Sequence, residues 1–241
     1  MSPSDLALRT PASPAATIGR QPDYLRAEQT LWSWFSATDH KRIGILYLLA
    51  ITFFFVLGSI AAGLIRLSLL VPNGSIFSND TYNKLFTLHG VIMVWFFLIP
   101  SIPNTFGNFL LPLMIGAKDL AFPRLNLMSW YLYVIASLFT LACVVLGGVD
   151  TGWTFYTPYS TLYSSGWVVL ALIGVVLIGF SSIATALNFV VTTHTMRAPG
   201  MTWFRMPLFV WGLYATSVIL LLATPVLTIT LILLIASRAF G

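Results

Sequence analysis

The residue best placed to do chemistry in this chain is a histidine inside an apolar run. His89 lies within residues 85–97, a stretch of hydrophobic residues that is typical of a membrane-spanning helix. A buried imidazole without a partner costs several kcal/mol, so His89 needs either a hydrogen bond or a metal. Two interpretations follow: a histidine hydrogen-bonded to a neighbouring helix, or an axial ligand of a haem held between helices, since imidazole is the commonest metal ligand.

A low-spin haem takes two axial ligands at one depth, and this sequence offers only one. The other histidines, His40 and His194, flank the first and fourth apolar runs on the far side of the membrane from His89. Neither is expected to reach the metal. The second ligand would therefore come from another chain or from sequence absent here.

Composition places the chain in a membrane. Hydrophobic residues make up 58% of the sequence and charged residues only 8%, and the mean hydropathy is +0.89. A water-soluble domain carries about 25% charged residues. The single cysteine, Cys143, excludes a disulfide or a cysteine-based metal site within the chain. The net charge of +5 does not indicate nucleic acid, because the basic residues mostly flank apolar runs.

Five apolar runs are long enough to cross a bilayer, which takes about 20 residues. They predict an all-α fold, a polytopic transmembrane helix bundle with five spans near residues 43–70, 85–115, 128–149, 168–191 and 207–235. Pro100, Pro103 and Pro112 predict that the second span is bent or partly unwound near its end. Residues 1–31 are polar and predict a flexible cytoplasmic tail rather than a signal peptide, and residues 32–241 are expected to form the bundle.

The basic residues predict the orientation of the spans. Of the 12 lysines and arginines, nine fall on the N-terminal side, and only Arg66, Lys84 and Arg238 fall on the other. By the positive-inside rule we expect a cytoplasmic N-terminus and a periplasmic C-terminus. We expect this membrane to be the bacterial inner membrane rather than the mitochondrial inner membrane.

Arg66 runs against this charge bias, near the outer end of the first span. We expect it at a depth similar to that of His89. Its side chain can extend to the membrane surface, or it can donate to an acceptor group of a cofactor beside His89. The residue type alone leaves both interpretations open.

A second set of polar residues lies on the N-terminal side of the membrane. It surrounds the loop between the second and third spans and continues into the fourth span. Its members are Asn104, Asn108, Asp119, Asn126, Ser129, Ser181, Ser182 and Asn188. Each one alone is explained by helix capping or by an interhelical hydrogen bond worth about 1 kcal/mol. Together they favour a file of waters along which protons move, with Asp119 as its mouth.

These residues also carry a resemblance to a known family. The segment FGNFLLPLMIGAKDLAFPRLN, residues 106–126, resembles the junction between the second and third helices of subunit I of haem-copper cytochrome oxidases. Three further stretches match in register: DHKRIG at 39–44, TGWTFY at 151–156 and PLFVW at 207–211. The resemblance extends from about residue 32 to the end of the sequence and implies part of a twelve-helix fold.

The resemblance implies roles for residues already singled out. His89 would be an axial ligand of the low-spin haem, expected to be haem A, and Arg66 would donate to the formyl group of that haem. Tyr82 and Trp153 would lie near the haem propionates. Asp119 would open the proton route called the D-pathway. The water-lining positions of that route would be Asn108, Asn126, Ser181, Ser182 and Asn188.

The resemblance also implies what lies outside this sequence. The sequence ends just after the fifth helix, under half of a typical subunit I. The high-spin haem, the copper and their ligands would belong to later helices, so no catalytic residue is expected in this portion. We expect the remaining half of subunit I as a partner, either as a separate chain or as missing sequence, together with subunits II and III.

We therefore expect the N-terminal part of subunit I of a cytochrome c oxidase. Such an enzyme takes electrons from cytochrome c, reduces oxygen to water and pumps protons. One alternative is a quinol oxidase of the same superfamily, although Arg124 after Phe122 and Pro123 favours the cytochrome c branch. The other is a non-catalytic, truncated membrane protein that has lost the redox centre. The junction around Asp119 argues against a nitric oxide reductase.

Overall fold

The structure is a computed structural model that describes residues 30–71 and 76–241. These residues belong to two units that divide after Phe35. The described part of the first unit is the short helix α1 (Leu31–Phe35), whose backbone is capped where Thr30 Oγ1 accepts from Ser33 N at 3.2 Å. The predicted tail lies, through residue 29, outside the described residues, and its boundary at residue 31 stays a prediction.

The second unit contains five helices that are long and apolar enough to cross a membrane. The first is α2 (His40–Ser68), and the second is the long helix Asn79–Ile115, which begins with α3 (Asn79–Val91) and ends with α4 (Asn108–Ile115). The others are α5 (Pro123–Val145), α6 (Val168–Thr195) and α7 (Leu208–Phe240). No strand occurs within the described ranges. The predicted all-α bundle with five spans is confirmed.

Local sequence signals explain where several helices begin and end. Asp39 caps α2, because its Oδ1 accepts from the backbone N–H groups of Lys41 and Arg42 at 3.0 Å each. Ser78 caps α3 in the same way. Gly116 ends α4 in the left-handed conformation, with φ +75°, which glycine adopts without strain. An N-terminal side-chain cap, such as that of Asp39 or Ser78, contributes about 1 kcal/mol to helix stability.

The second span is interrupted by two π-helical segments, Ile92–Leu98 and Ser101–Gly107. Pro100 lies between them and Pro103 within the second, so the predicted interruption occurs where the prolines prevent regular α-helical hydrogen bonding. Pro100 leaves the carbonyl of Phe96 without its usual donor four residues on. The hydroxyl of Tyr133, on α5, donates to this carbonyl at 2.8 Å. Pro112, by contrast, lies within the regular turn of α4.

An aromatic cluster fills the core beside this interruption. Tyr47 and Trp130 pack edge to face with their centroids 5.0 Å apart, and Tyr47 and Tyr133 do so at 5.3 Å. Phe54 and Phe96 approach to 4.9 Å. Such aromatic pairs contribute about 0.5–1.5 kcal/mol each beyond the area that they bury. The cluster therefore fixes how α2, α5 and the second span lie against one another.

Consecutive spans run in opposite directions, so their connections gather at two ends of the bundle. At the Asp119 end, the loop after α4 meets the loop after α6, where Ala198 N donates to Ile115 O at 2.9 Å. At the Trp153 end, the α5–α6 loop contacts α3 at Thr87 and the last turn of α7 at Arg238. The most buried span is α6, which lies between α5 and α7.

We predict that Gly174→Ala weakens the contact between α5 and α6. A Cβ at Gly174 would lie 2.8 Å from Thr140 Oγ1 and 3.2 Å from the backbone oxygen of Ala136. Overpacking of this kind costs about 1–3 kcal/mol, which is measurable by denaturant unfolding of the purified complex. Gly63→Ala is the matched control, because a Cβ at Gly63 meets nothing within 4 Å. Equal stability of the two variants would contradict the packing described.

Candidate functional site

His89 is oriented by a hydrogen bond to the neighbouring helix. Its Nδ1 lies 2.9 Å from the carbonyl oxygen of Gly58 on α2. A carbonyl only accepts, so we assign the proton to Nδ1, which leaves the lone pair on Nε2. Histidines that bind metals through Nε2 commonly donate Nδ1–H to a backbone carbonyl in this way. The interhelical hydrogen bond and the metal-ligand interpretation of His89 are therefore compatible.

Two glycines bring other groups close to His89. A Cβ at Gly58 would lie 2.7 Å from Met93 Sδ, so α2 and the second span are in direct contact there. A Cβ at Gly90 would lie 2.8 Å from Cδ1 of Trp153. The indole of Trp153 therefore packs on the backbone of the residue next to His89. The structure thus brings His89 and Trp153 together through Gly90.

Arg66 and Tyr82 lie nearer the Trp153 end than His89 does. Arg66 follows Gly58 by eight residues, about 12 Å along α2, so it is not level with His89 as the sequence suggested. Its side chain is exposed and has no hydrogen bond or ion pair with the residues that the structure describes. Tyr82 precedes His89 by seven residues and is half-buried. Neither forms a hydrogen bond to the His89 side chain, whose partner is the Gly58 carbonyl.

At the Asp119 end, two buried asparagines start a chain of hydrogen bonds. Asn126 Nδ2 donates to Asn108 Oδ1 at 2.6 Å, and Asn108 Nδ2 donates to Asn104 O at 2.6 Å. His40 Nδ1 lies 2.6 Å from Asn108 O. That carbonyl lacks an α-helical donor because the residue four positions on is Pro112. His40 therefore replaces the missing backbone bond and holds α2 against α4.

The chain of hydrogen bonds continues through three hydroxyl groups. Ser129 Oγ donates to Asn126 O at 2.7 Å, and Ser181 Oγ donates to Ser129 O at 2.7 Å. The hydroxyl of Tyr47 lies 3.1 Å from Ser129 Oγ and 3.3 Å from Ser181 Oγ. All these residues are buried, and so is Ser182, which follows Ser181 in the sequence. The structure therefore brings most of the predicted polar set into one network.

Tyr47 is the member of this network that the sequence analysis missed. A tyrosine in an apolar span is usually a core residue, and its neighbours in the sequence gave no other signal. Its spacing from His40 could have found it, because seven residues are about two helical turns and place both side chains on one face of α2.

Asn188 has a different surrounding from the other predicted residues. Its Oδ1 accepts from Phe122 N at 3.0 Å, and its Nδ2 donates to Phe122 O at 2.9 Å. Thr192, one turn later on α6, accepts from Ala121 N at 2.9 Å. Both ends of the Asn188 amide therefore hold the backbone of the loop that carries Asp119.

Asp119 lies in the loop between α4 and α5, near His40. Its Oδ1 accepts from Leu120 N at 2.7 Å. Burial raises the pKa of the Asp119 carboxyl, while the Leu120 hydrogen bond and the charge of His40 oppose this effect and the charge of Asp39 adds to it. The net direction is upward, so the protonated form persists to higher pH than in an ordinary aspartate.

Some buried oxygens of this region lack a hydrogen-bond partner among the described residues. Asn126 Oδ1 and Thr105 Oγ1 are among them. An unsatisfied buried polar group costs about 1–3 kcal/mol, and a water bridging such groups would remove this cost.

Comparison with known proteins points to one family. Residues 42–241 match the family model described as cytochrome C and quinol oxidase polypeptide I. The chain is 38% identical over 245 residues to cytochrome c oxidase subunit 1 of Thermostichus vulcanus, covering 100% of this chain and 42% of that relative. It is 42% identical over 241 residues to a putative cytochrome c oxidase subunit 1-beta of Streptomyces coelicolor, covering 97% of this chain and 41% of that relative. The chain spans under half the length of these relatives.

We predict that Asp119 titrates above the ordinary aspartate value of 3.8 and that Asp39→Asn lowers its pKa. Asparagine keeps the cap of α2 but removes the negative charge of Asp39, which contributes to the raised pKa of Asp119. The measurement is an infrared titration of the carboxyl band, which Asp119→Asn identifies by removing it. A pKa that Asp39→Asn leaves unchanged would contradict the electrostatic coupling between the two carboxyl groups.

Proposed function

We propose a function for this chain from its family, because it belongs to the cytochrome c and quinol oxidase polypeptide I family. The proposal is that the chain forms part of subunit I of a haem-copper terminal oxidase, where it binds a low-spin haem and provides a proton entrance. The observation that carries this proposal is the orientation of His89, with Nδ1 on the Gly58 carbonyl and Nε2 available as a ligand. The spans and the family together indicate an integral membrane protein.

The residues around His89 fit such a group. The imidazole is half-buried, and its hydrogen bond to the Gly58 carbonyl leaves Nε2 as the nitrogen that can bind a metal. A bound low-spin haem would supply one-electron transfer at this place. We keep haem A as the proposed type, with Arg66 as donor to its formyl group. Tyr82 and Trp153 lie toward the same end of the bundle, where we propose that they contact the propionates.

We propose that protons enter at Asp119 and follow the buried network. The raised pKa lets Asp119 hold a proton at a higher pH than an ordinary aspartate. Beyond it, Asn108 and Asn126 lead to the hydroxyls of Tyr47 and Ser181. Hydroxyl groups and waters both donate and accept, so together they can pass a proton along a file. We place Ser182 in this route, and we assign Asn188 to holding its entrance.

The remaining parts of the proposal concern the whole enzyme. We propose that the Asp119 end faces the cytoplasm of a bacterium, which is supported by the nine basic residues on that side against three on the other. The rest of subunit I, with the high-spin haem and copper, and subunits II and III would complete an oxidase that reduces oxygen to water and pumps protons. Cytochrome c is the proposed electron donor. Quinol is the second candidate, because the family description includes both.

We predict that His89→Ala removes the low-spin haem from the native complex that contains this chain. The loss of Nε2 removes the axial ligand, whereas the helices keep their own backbone hydrogen bonds. The measurement is the optical and electron paramagnetic resonance spectrum of the purified complex. His194→Ala is the matched control, because His194 lies at the Asp119 end on Tyr214, and its spectrum should be unchanged. A low-spin spectrum retained in His89→Ala would refute the ligand assignment.

We predict that Asp119→Asn slows proton uptake and turnover at least about tenfold without changing the haem spectrum. Asparagine fills the same space but cannot take up a proton at neutral pH, and removal of such a group typically costs 10²–10⁴-fold in proton transfer. The measurement is proton uptake by the reconstituted complex. Asp80→Asn, at the opposite end, is the matched control, since Asp80 is paired with Lys84. Unchanged proton uptake in Asp119→Asn would contradict the entrance role.

A further inference from the structure

Arg238 is a basic residue at the Trp153 end whose contacts the proposed function does not use. Of the three basic residues there, Arg66 is assigned to the haem and Lys84 pairs with Asp80 at 2.7 Å. Arg238, in the last turn of α7, donates through Nη1 to Ser160 O and Thr161 O at 2.9 Å each. Its Nη2 donates to Ser164 O at 2.5 Å. The planar guanidinium can hold several carbonyls at once, because it carries five donors in a fixed arrangement.

The carbonyls that Arg238 binds belong to a turn with further internal bonds. Ser160 is fully buried, and its Oγ donates to Phe155 O at 2.8 Å. Ser164 Oγ donates to Asp150 Oδ1 at 2.6 Å, and Tyr159 OH donates to Asp150 Oδ2 at 2.5 Å. Residues 150–164 are thus tied together at their start by Asp150 and held to α7 by Arg238. We call this segment the α5–α6 loop clasp.

The backbone within this clasp adopts a conformation that needs external support. Phe155 is a buried non-glycine residue with φ +49°, in the left-handed region that L side chains rarely occupy. Such a conformation persists where surrounding contacts hold it. The bonds from Ser160 to Phe155 O and from Arg238 to the following turn provide contacts of this kind.

The start of the same segment touches the residues on either side of His89. Gly152 N donates to Thr87 Oγ1 at 2.8 Å, two residues before His89. Trp153, the next residue along, packs on Gly90. The contacts therefore run from Arg238 through the α5–α6 loop clasp to Thr87 and Gly90, which lie on either side of the candidate haem ligand in the sequence.

We propose that Arg238 is a positioning residue for the His89 site, which it serves by holding the α5–α6 loop clasp so that Trp153 stays packed on Gly90. This inference rests on the proposed function, because it concerns the surroundings of the group that His89 would bind. Arg238 itself does not touch His89. Its effect on a bound haem would be to limit solvent access, which is one of the factors that set a redox potential.

The test compares Arg238→Gln, Arg238→Lys and wild type in the native complex. Arg205→Gln is the matched control, since Arg205 is an exposed arginine just before α7 at the opposite end. Hydrogen exchange of residues 150–164 and hydroxyl-radical footprinting of Trp153 report on the clasp. We expect exchange at least about tenfold faster in Arg238→Gln, because several charge-assisted hydrogen bonds are lost. Arg238→Lys, which can reach fewer carbonyls, should be intermediate, and Arg205→Gln unchanged.

A potentiometric titration of the low-spin haem supplies the second readout. We expect the midpoint potential to fall in Arg238→Gln and to recover in part in Arg238→Lys. A looser clasp with an unchanged potential and unchanged Trp153 footprint would reduce Arg238 to a structural role and overturn the inference. Unchanged exchange would overturn it as well. If wild type binds no low-spin haem, the proposed function fails, while exchange and footprinting still decide whether Arg238 holds Trp153. If Arg238→Gln does not assemble, Arg238→Lys decides the question alone.

Discussion

The contact between α2 and the second span at Gly58 is the constraint on which the candidate haem site depends. In an apolar environment every polar group must find its partner within the protein. The Nδ1 of His89 finds the Gly58 carbonyl, and the absence of a side chain at Gly58 allows the helices to approach closely enough for the bond. The same contact therefore stabilises the helix pair and determines which imidazole nitrogen is available.

A related rule organises the second span from its middle to the Asp119 end. Prolines in the second span remove backbone donors, and side chains from other helices replace them. Tyr133 donates to Phe96 O where Pro100 cannot provide an N–H, and His40 donates to Asn108 O where Pro112 cannot. These substitutions draw α5 and α2 toward the interrupted helix. They also place polar side chains deep in the bundle, and the buried network begins among them.

The sequence predicted the fold well because hydropathy and span length are strong, local signals. All five spans, the interruption at Pro100 and Pro103 and the isolation of His89 from the other histidines followed from them. Side-chain contacts between spans were harder to predict from the sequence. Tyr47 was missed because an apolar sequence hides the single polar atom of a tyrosine. Asn188 was grouped with the water-lining residues, although both ends of its amide hydrogen-bond to the backbone of Phe122. The residue type alone does not indicate which partner an asparagine binds.

The pairing of prolines with donors on other helices has a consequence for the order of synthesis. His40 precedes its acceptor by 68 residues and is already available when Asn108 is made. Tyr133 follows Phe96 by 37 residues. At about 5–20 residues per second, translation from Phe96 to Tyr133 takes about 2–7 seconds. During that interval the Phe96 carbonyl must remain in contact with water or with the insertion machinery. The second span is therefore expected to enter the lipid together with α5 rather than before it.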